Sequence, residues 1–216
     1  MNGEKARDRK KMVKRLKRTG YVKTKKVAEA METVPRHLFL PEQLSHRAYV
    51  DSPLPIGGGQ TISAPHMVAM MVEGLDLKAG MKVLEVGGGR GYHAAVISRI
   101  VGEEGDVVSM EILPELAERG KRVLDELDYN NVKIVIGDGS EGYEEGGPYH
   151  RISVACGAPS IPEPLIKQLN RGGKMLIPIG GEYYQNLIRI TKKENKLKKE
   201  NLGGVLFVPL KGKHGH

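Results

Sequence analysis

This sequence has no tryptophan, only two phenylalanines and a single cysteine. One thiol, Cys156, cannot form an internal disulfide, so the fold has to rest on its apolar core. A reducing compartment is compatible with that. The shortage of large aromatics leaves few platforms on which unpaired bases could stack, which argues against a specific nucleic-acid partner. No apolar run reaches the ~18–20 residues that a membrane span needs. The N-terminal stretch MNGEKARDRKKMVKRLKR is basic but has no apolar segment behind it, unlike a secretory signal. The expected location is therefore cytoplasmic, with no membrane partner.

What is present suits a folded domain. The 216 residues are 39% hydrophobic and 28% charged, the balance of a globular chain rather than a disordered one. The net charge is +8, and much of the excess sits in the first 26 residues. Such a run attracts polyanions or an anionic peptide. The plainer reading, which we favour, is a solvated helix face.

Periodicity divides the chain. Met12, Val13 and Leu16 recur at helical spacing and predict a first helix ending near Gly20. Val27, Ala28, Met31 and Val34 predict a second, stopped before Pro35. Residues 35–65, rich in Pro and Gly, read mostly as loop, and a short helix follows from about Ala64 to Gly74. Strands are then predicted at Met81–Val86, Asp106–Glu111, Val132–Ile136, Ile152–Ala155 and Gly173–Ile179. Helices are predicted between them at Tyr92–Val101, Pro114–Leu127 and Pro162–Leu169. That alternation predicts a doubly wound α/β fold with a parallel sheet covered on both faces. Asn186–Thr191 and Gly203–Val208 flank the polar turn KKENKLKKEN and read as a closing antiparallel hairpin. The expectation is one domain, 1–216. It comprises N-terminal helices and a loop (1–80), an α/β core (81–180) and a C-terminal hairpin and tail (181–216).

The segment Glu85-Val86-Gly87-Gly88-Gly89-Arg90-Gly91 follows a predicted strand and opens a predicted helix. Glycines there allow a tight turn and close backbone approach to a ligand. Alone, the pattern is weak. Its G-x-G-x-G spacing at Gly87, Gly89 and Gly91, with Glu85 just upstream, differs from the dinucleotide fingerprint. It resembles motif I of S-adenosylmethionine-dependent methyltransferases. Glu111, at the end of the next strand, can accept hydrogen bonds from a ribose diol; otherwise it is an exposed strand-end carboxylate. By the same resemblance Asp138, in Ile136-Gly137-Asp138-Gly139, accepts from an adenine amino group and Gly139 leaves room for the ring. The alternative is an ordinary Asp-Gly turn.

Three further segments narrow the class. These are TGYVKTKKVAEAMETVPRHLFL at Thr19–Leu40, the PLPIG-x-GQTISAPH core within Pro53–His66, and the terminal Phe207-Val208-Pro209-Leu210. Together with the glycine turn they resemble the protein-L-isoaspartate O-methyltransferase family over nearly the whole chain. The resemblance implies a Rossmann-like fold with a mixed, mostly parallel seven-stranded sheet and an N-terminal helical cap. It implies methyl transfer from S-adenosyl-L-methionine, giving S-adenosyl-L-homocysteine, to the free α-carboxylate of L-isoaspartyl residues in damaged proteins and peptides. D-aspartyl residues are accepted in parts of the family. Once methylated, the ester closes to a succinimide without the enzyme, and hydrolysis returns some normal aspartate.

The resemblance also carries residue roles. Ser63 is the active-site serine, with Thr61, Ile62, Ser63 and His66 at the substrate, and Gln185 near the cofactor. By itself His66 reads as a helix-start histidine that packs or caps. Cys156 reads as a buried small hydrophobe. No metal site is expected, since His214 and His216 have no companion ligands. A monomer is favoured.

The chain departs from the family pattern in places. Gly88 and Arg90 stand where Thr and Ser are frequent. His150-Arg151 replaces the entry Tyr-Asp, and Ala155-Cys156-Gly157 replaces Thr-Ala-Ala. Both strand-four changes are expected at the floor of the site. Two other readings stay open on the sequence: a nucleic-acid methyltransferase, motivated by the basic N-terminus, and a non-catalytic cofactor-binding relative.

Overall fold

The computed structural model of the protein describes residues 2–194 and 196–216; Met1, and Asn195 in the polar turn, lie outside the described residues. Helix α1 (Asn2–Arg18) buries Met12, Val13 and Leu16, and α2 (Lys25–Thr33) buries Val27, Ala28, Ala30 and Met31. α2 stops because Val34, ahead of Pro35, is extended. The stretch expected to be loop has more order than that. It holds two 3₁₀ turns, Arg36–Phe39 and Glu42–Arg47, and a hairpin of β1 (Leu54–Gly57) and β2 (Gln60–Ile62). Gly57, Gly58 and Gly59 all take positive φ, which makes the reversal between these strands feasible. Helix α3 (Pro65–Leu75) follows, opened by Pro in its first turn.

The remaining elements are β3 (Lys82–Val86), α4 (Tyr92–Val101), β4 (Asp106–Glu111), α5 (Pro114–Glu126), β5 (Val132–Ile136), β6 (Tyr149–Val154), α6 (Glu163–Gln168), β7 (Leu169–Gly181), β8 (Tyr184–Lys192) and β9 (Leu197–Val205). They build a seven-stranded sheet in the order β5-β4-β3-β6-β7-β8-β9. β3 through β7 run parallel, while β8 and β9 add antiparallel. The chain winds outward from β3 to β5, then returns to β6 on the other side of β3. That reversal opens a crevice at the carboxyl ends of β3, β4 and β6.

Strand alternation sends side chains to two separate cores. Val83, Val107 and Leu176 pack with α1–α5 on one face; Leu84, Val86, Val108, Met110, Ile152 and Val154 pack on the other, with Leu165 of α6. α4 is buried almost all round, because the N-terminal helices cover the side that the sheet does not. Arg36 pins this cover. Its guanidinium is wholly buried, sits 4.9 Å from the Tyr92 ring centroid, and donates from Nε to Ala48 O at 2.9 Å.

Two expectations need correction. The last strand spans Leu197–Val205 rather than Gly203–Val208. The charged segment pairs with β8 as a polar edge strand, with Arg189 and Glu200 3.0 Å apart, and an edge tolerates such residues. Beyond it the chain leaves the sheet, and residues 207–210 run beside Gly157, with Gly157 N donating to Val208 O and Leu210 N to Gly157 O. Nor do His150 and Arg151 touch the crevice. They enter β6 at its opposite end. There Arg151 donates to Leu75 O, Asp76 O and His150 O, two of which are carbonyls that end α3. His150 Nδ1 accepts from Lys82 N at 3.0 Å. Arg151 is thus a helix C-terminal cap supplied by a strand. Arg151→Met should lower stability by about 2–3 kcal/mol in chemical denaturation, since charged hydrogen bonds to buried carbonyls are lost. It should leave ligand affinity at the crevice unchanged by calorimetry.

Candidate active site

The turn from β3 into α4 lines the crevice. It is stitched to β4: Gly87 N and Gly88 N both donate to Met110 O, at 2.9 and 3.0 Å. Gly87 adopts φ 83°, and a Cβ there would lie 2.4 Å from Cys156 Sγ, so no other residue fits. At Gly88 the obstacle is Ser109, whose Oγ would be 2.1 Å from an added Cβ. The backbone therefore forms the floor of the crevice, as a cradle needs.

Two carboxylates flank that floor. Glu85 is fully buried and accepts from Ser109 Oγ at 2.5 Å. Glu111 is 6% exposed; Oε2 accepts from Gly89 N at 2.8 Å and Oε1 from Leu113 N at 2.9 Å. Each Glu111 oxygen keeps one lone pair for a further donor, and backbone bonds on both sides hold it in place. Gly139 lines the same crevice.

The β1–β2 hairpin forms the opposite wall. Ile56, Gln60, Thr61, Ile62 and Ser63 all line the opening. The hairpin is seated on the cradle: a Cβ at Gly89 would come within 3.0 Å of Ile56 Cδ1, and one at Gly58 within 2.7 Å of Leu113 Cδ1. Val208–Lys211 complete the rim, which brings the terminal motif to the same place. Cys156 also lines the crevice. Burial, with Glu111 and Glu85 nearby, pushes its thiol up to about 12, so it is a neutral, apolar wall and no nucleophile at physiological pH.

Four sequence-predicted residues lie elsewhere. Gly91 closes the turn by donating to Gly88 O, and a Cβ there would meet Leu124 of α5 and Ile134 of β5 rather than the crevice. His66 is held outside the crevice by Asp51, which accepts from both His66 N and Nδ1 at 2.9 Å, so it serves the start of α3. Gln185 is fully buried under the β8 end. Its Oε1 accepts from Phe207 N and its Nε2 donates to Gly181 O, tying the terminal motif to the β7–β8 turn rather than facing a ligand. Asp138 turns its carboxylate to the C-terminal segment, accepting from Ser140 N at 2.9 Å and Lys213 N at 2.7 Å. It tethers the C-terminal segment at Lys213 to the turn after β5. Sequence reasoning missed Gln60 and His93. His93 is 9% exposed on the crevice wall, and no motif marks it.

The model for protein-L-isoaspartate(D-aspartate) O-methyltransferase matches residues 7–215. The chain is 53% identical over 210 residues to the protein-L-isoaspartate O-methyltransferase of Methanothermobacter thermautotrophicus, covering 96% of this chain and 97% of that one. It is 57% identical over 192 residues to that of Methanothrix thermoacetophila, covering 89% and 90%. The chain belongs to the protein-L-isoaspartate O-methyltransferase family. Among solved structures, one protein-L-isoaspartate O-methyltransferase superposes with a TM-score of 0.87 at 35% identity, covering 96% of this chain and 67% of that one. A Plasmodium falciparum relative, solved with S-adenosyl-L-homocysteine, superposes at 0.82 with 30% identity, covering 94% and 98%.

The crevice fits the cofactor of these methyltransferases by its own chemistry. It offers a side-chain-free floor, a buried carboxylate suited to an ammonium group, and a second carboxylate whose spare lone pairs suit a diol. The departure at Gly88 has a local reason. A Cβ there would lie 3.3 Å from Glu85 Oε2, so a threonine hydroxyl would stand where Ser109 Oγ now stands. Gly88→Thr alone should therefore destabilise by about 1–3 kcal/mol through overpacking. Adding Ser109→Gly should recover at least about 1 kcal/mol of it, a coupling measurable in a double-mutant cycle.

The Asp138 tether carries a pH prediction. Burial opposes its ionisation, but the Lys213 and Ser140 N–H groups outweigh that and hold it below its ordinary 3.8. With a depressed folded value, the tether is present above pH 3.8 and lost as pH falls through the lower value. The Lys213 amide resonance should titrate with a midpoint below 3.8, and Asp138→Asn should abolish that titration.

Proposed function

We propose that this chain methylates the free α-carboxylate of L-isoaspartyl residues in proteins and peptides, with S-adenosyl-L-methionine as donor. The observation that carries this reading is the seating of the Thr61-Ile62-Ser63 segment directly across the crevice from the glycine cradle. When bound, the donor supplies an electrophilic methyl group on a sulfonium. Glu85, Gly87 and Gly89 form its amino-acid end of the site, with Gly91 closing the turn behind them. Glu111 accepts from the ribose hydroxyls, and Gly139 faces the adenine.

The acceptor needs no general base. An α-carboxyl has a reference pKa of about 3.5 and is already ionised at neutral pH. The backbone and hydroxyls of Thr61, Ile62 and Ser63 orient it, and Ser63 positions without acting as a nucleophile. Ile56, Ile62, Val68 and Cys156 supply an apolar lining that limits water. Charge disperses as the methyl moves between an anion and a cation, so a water-poor site lowers the barrier. Alignment of oxygen, carbon and sulfur contributes most, up to ~7–11 kcal/mol in well-oriented systems.

Labelled S-adenosyl-L-methionine with paired aspartyl and isoaspartyl peptides tests the reading. Label should enter the isoaspartyl peptide alone, as a base-labile ester. Preferential labelling of RNA or DNA, or binding without transfer, would overturn it. Ser63→Ala should lower kcat about tenfold or more while leaving donor affinity within about twofold, the pattern of a lost orienting hydrogen bond.

A further inference from the structure

A buried pair beside the cradle has hydrogen-bonding capacity that the fold leaves unmet. Ser109 Oγ donates to Glu85 Oε2, but Glu85 Oε1 is buried with no hydrogen-bond partner among the described residues. It lies 3.2 Å from His93 Nδ1, an ion-pair distance without hydrogen-bond alignment. His93 Nε2, on the second residue of α4, is likewise buried without a partner. Of the four crevice-lining residues with an unmet buried atom, Arg90 lies against α5 and Tyr92 against Arg36; the other two, Glu85 and His93, lie together and point to a ligand that meets both.

The rest of the cradle makes the need specific. The N–H groups of Gly87, Gly88, Gly89 and Gly91 are already engaged by Met110 O, Glu111 Oε2 and Gly88 O. Glu85 and Glu111 place two acids on the crevice wall. Arg90 lies against α5, where a Cβ at Gly120 would come within 2.9 Å of its backbone. A ligand ending in an α-amino acid brings an ammonium and a carboxylate together. The wall has an acceptor for the first in Glu85 Oε1 and, 3.2 Å from that oxygen, the His93 imidazole as a side-chain donor to the second; the Thr61 and Ser63 hydroxyls stand on the facing hairpin wall.

We propose that His93 is a donor-binding residue: its imidazole, with the proton on Nε2, donates to the carboxylate of the amino-acid end while Glu85 takes the ammonium. This rests on the reading of the crevice as the S-adenosyl-L-methionine site. It assigns a role to a residue outside the glycine motif and the serine loop.

Isothermal titration with two ligands tests it. S-adenosyl-L-homocysteine carries the amino-acid end, whereas 5′-methylthioadenosine lacks it. His93→Leu should weaken the first about tenfold or more and leave the second within about twofold. Unchanged affinity for S-adenosyl-L-homocysteine, or equal weakening of both ligands, would overturn the proposal, the latter marking a merely structural histidine. Should His93→Leu not fold, His93→Gln and His93→Asn decide the matter. Glutamine reaches the Nε2 position and should retain affinity for S-adenosyl-L-homocysteine; asparagine reaches only Nδ1 and should lose it. Equal affinities for that pair would count against the proposal. Wild-type protein that binds neither ligand would instead overturn the reading of the crevice, and this inference with it.

Discussion

Glu85 is a carboxylate with essentially no solvent contact, and the organisation of the site follows from keeping it there. A buried charge is costly unless it is hydrogen-bonded. Ser109, on the neighbouring strand, answers for one oxygen. Its hydroxyl fills the space beside Gly88, which is why that position carries no side chain. The bare backbone then lies close enough for Gly87 and Gly88 to bond Met110 O, and the loop is stitched to β4. One buried acid thus links strand, loop and helix, and leaves its second oxygen beside the crevice.

The N-terminal third of the chain is the other half of the site. Its helices cover α4, and Arg36 locks Tyr92 beneath them. Residues 54–63 then arrive over the cradle with Ile56 against Gly89. Sheet crevices of this topology bind ligands at the strand ends; here the added hairpin turns an open crevice into a walled one. The terminal Val208–Lys211 segment closes the remaining rim, held by Gln185 from below and, through Lys213, by Asp138 from outside.

Much of the fold was legible from pattern. Strands β3, β4 and β5 and helices α4 and α5 fall where apolar runs and helical spacing put them, because these elements form locally and bury one consistent face. The errors share a cause. β9 was misread because its charged residues look like turn, and only pairing with β8 makes them a strand. The β1–β2 hairpin was hidden by glycines that also read as loop. His150 and Arg151 were expected at the floor of the site. A strand has two ends, and periodicity does not say which of them meets the crevice.

Among the site residues the same division holds. Chain order alone singled out the glycine turn, Glu111 and the Ser63 segment, which line one crevice, since each is a local signal at a predicted strand end or in a distinctive stretch. Where Asp138, His66 and Gln185 point was a different matter. Their side chains are claimed by Lys213, Asp51 and Phe207, partners 75, 15 and 22 positions away. His93 entered the site only through its distance to Glu85. What the sequence by itself determined was the family, the sheet and the list of candidate groups, because short-range patterns encode these. Which groups face the ligand was decided by tertiary structure, because a polar side chain turns toward whichever long-range partner satisfies it.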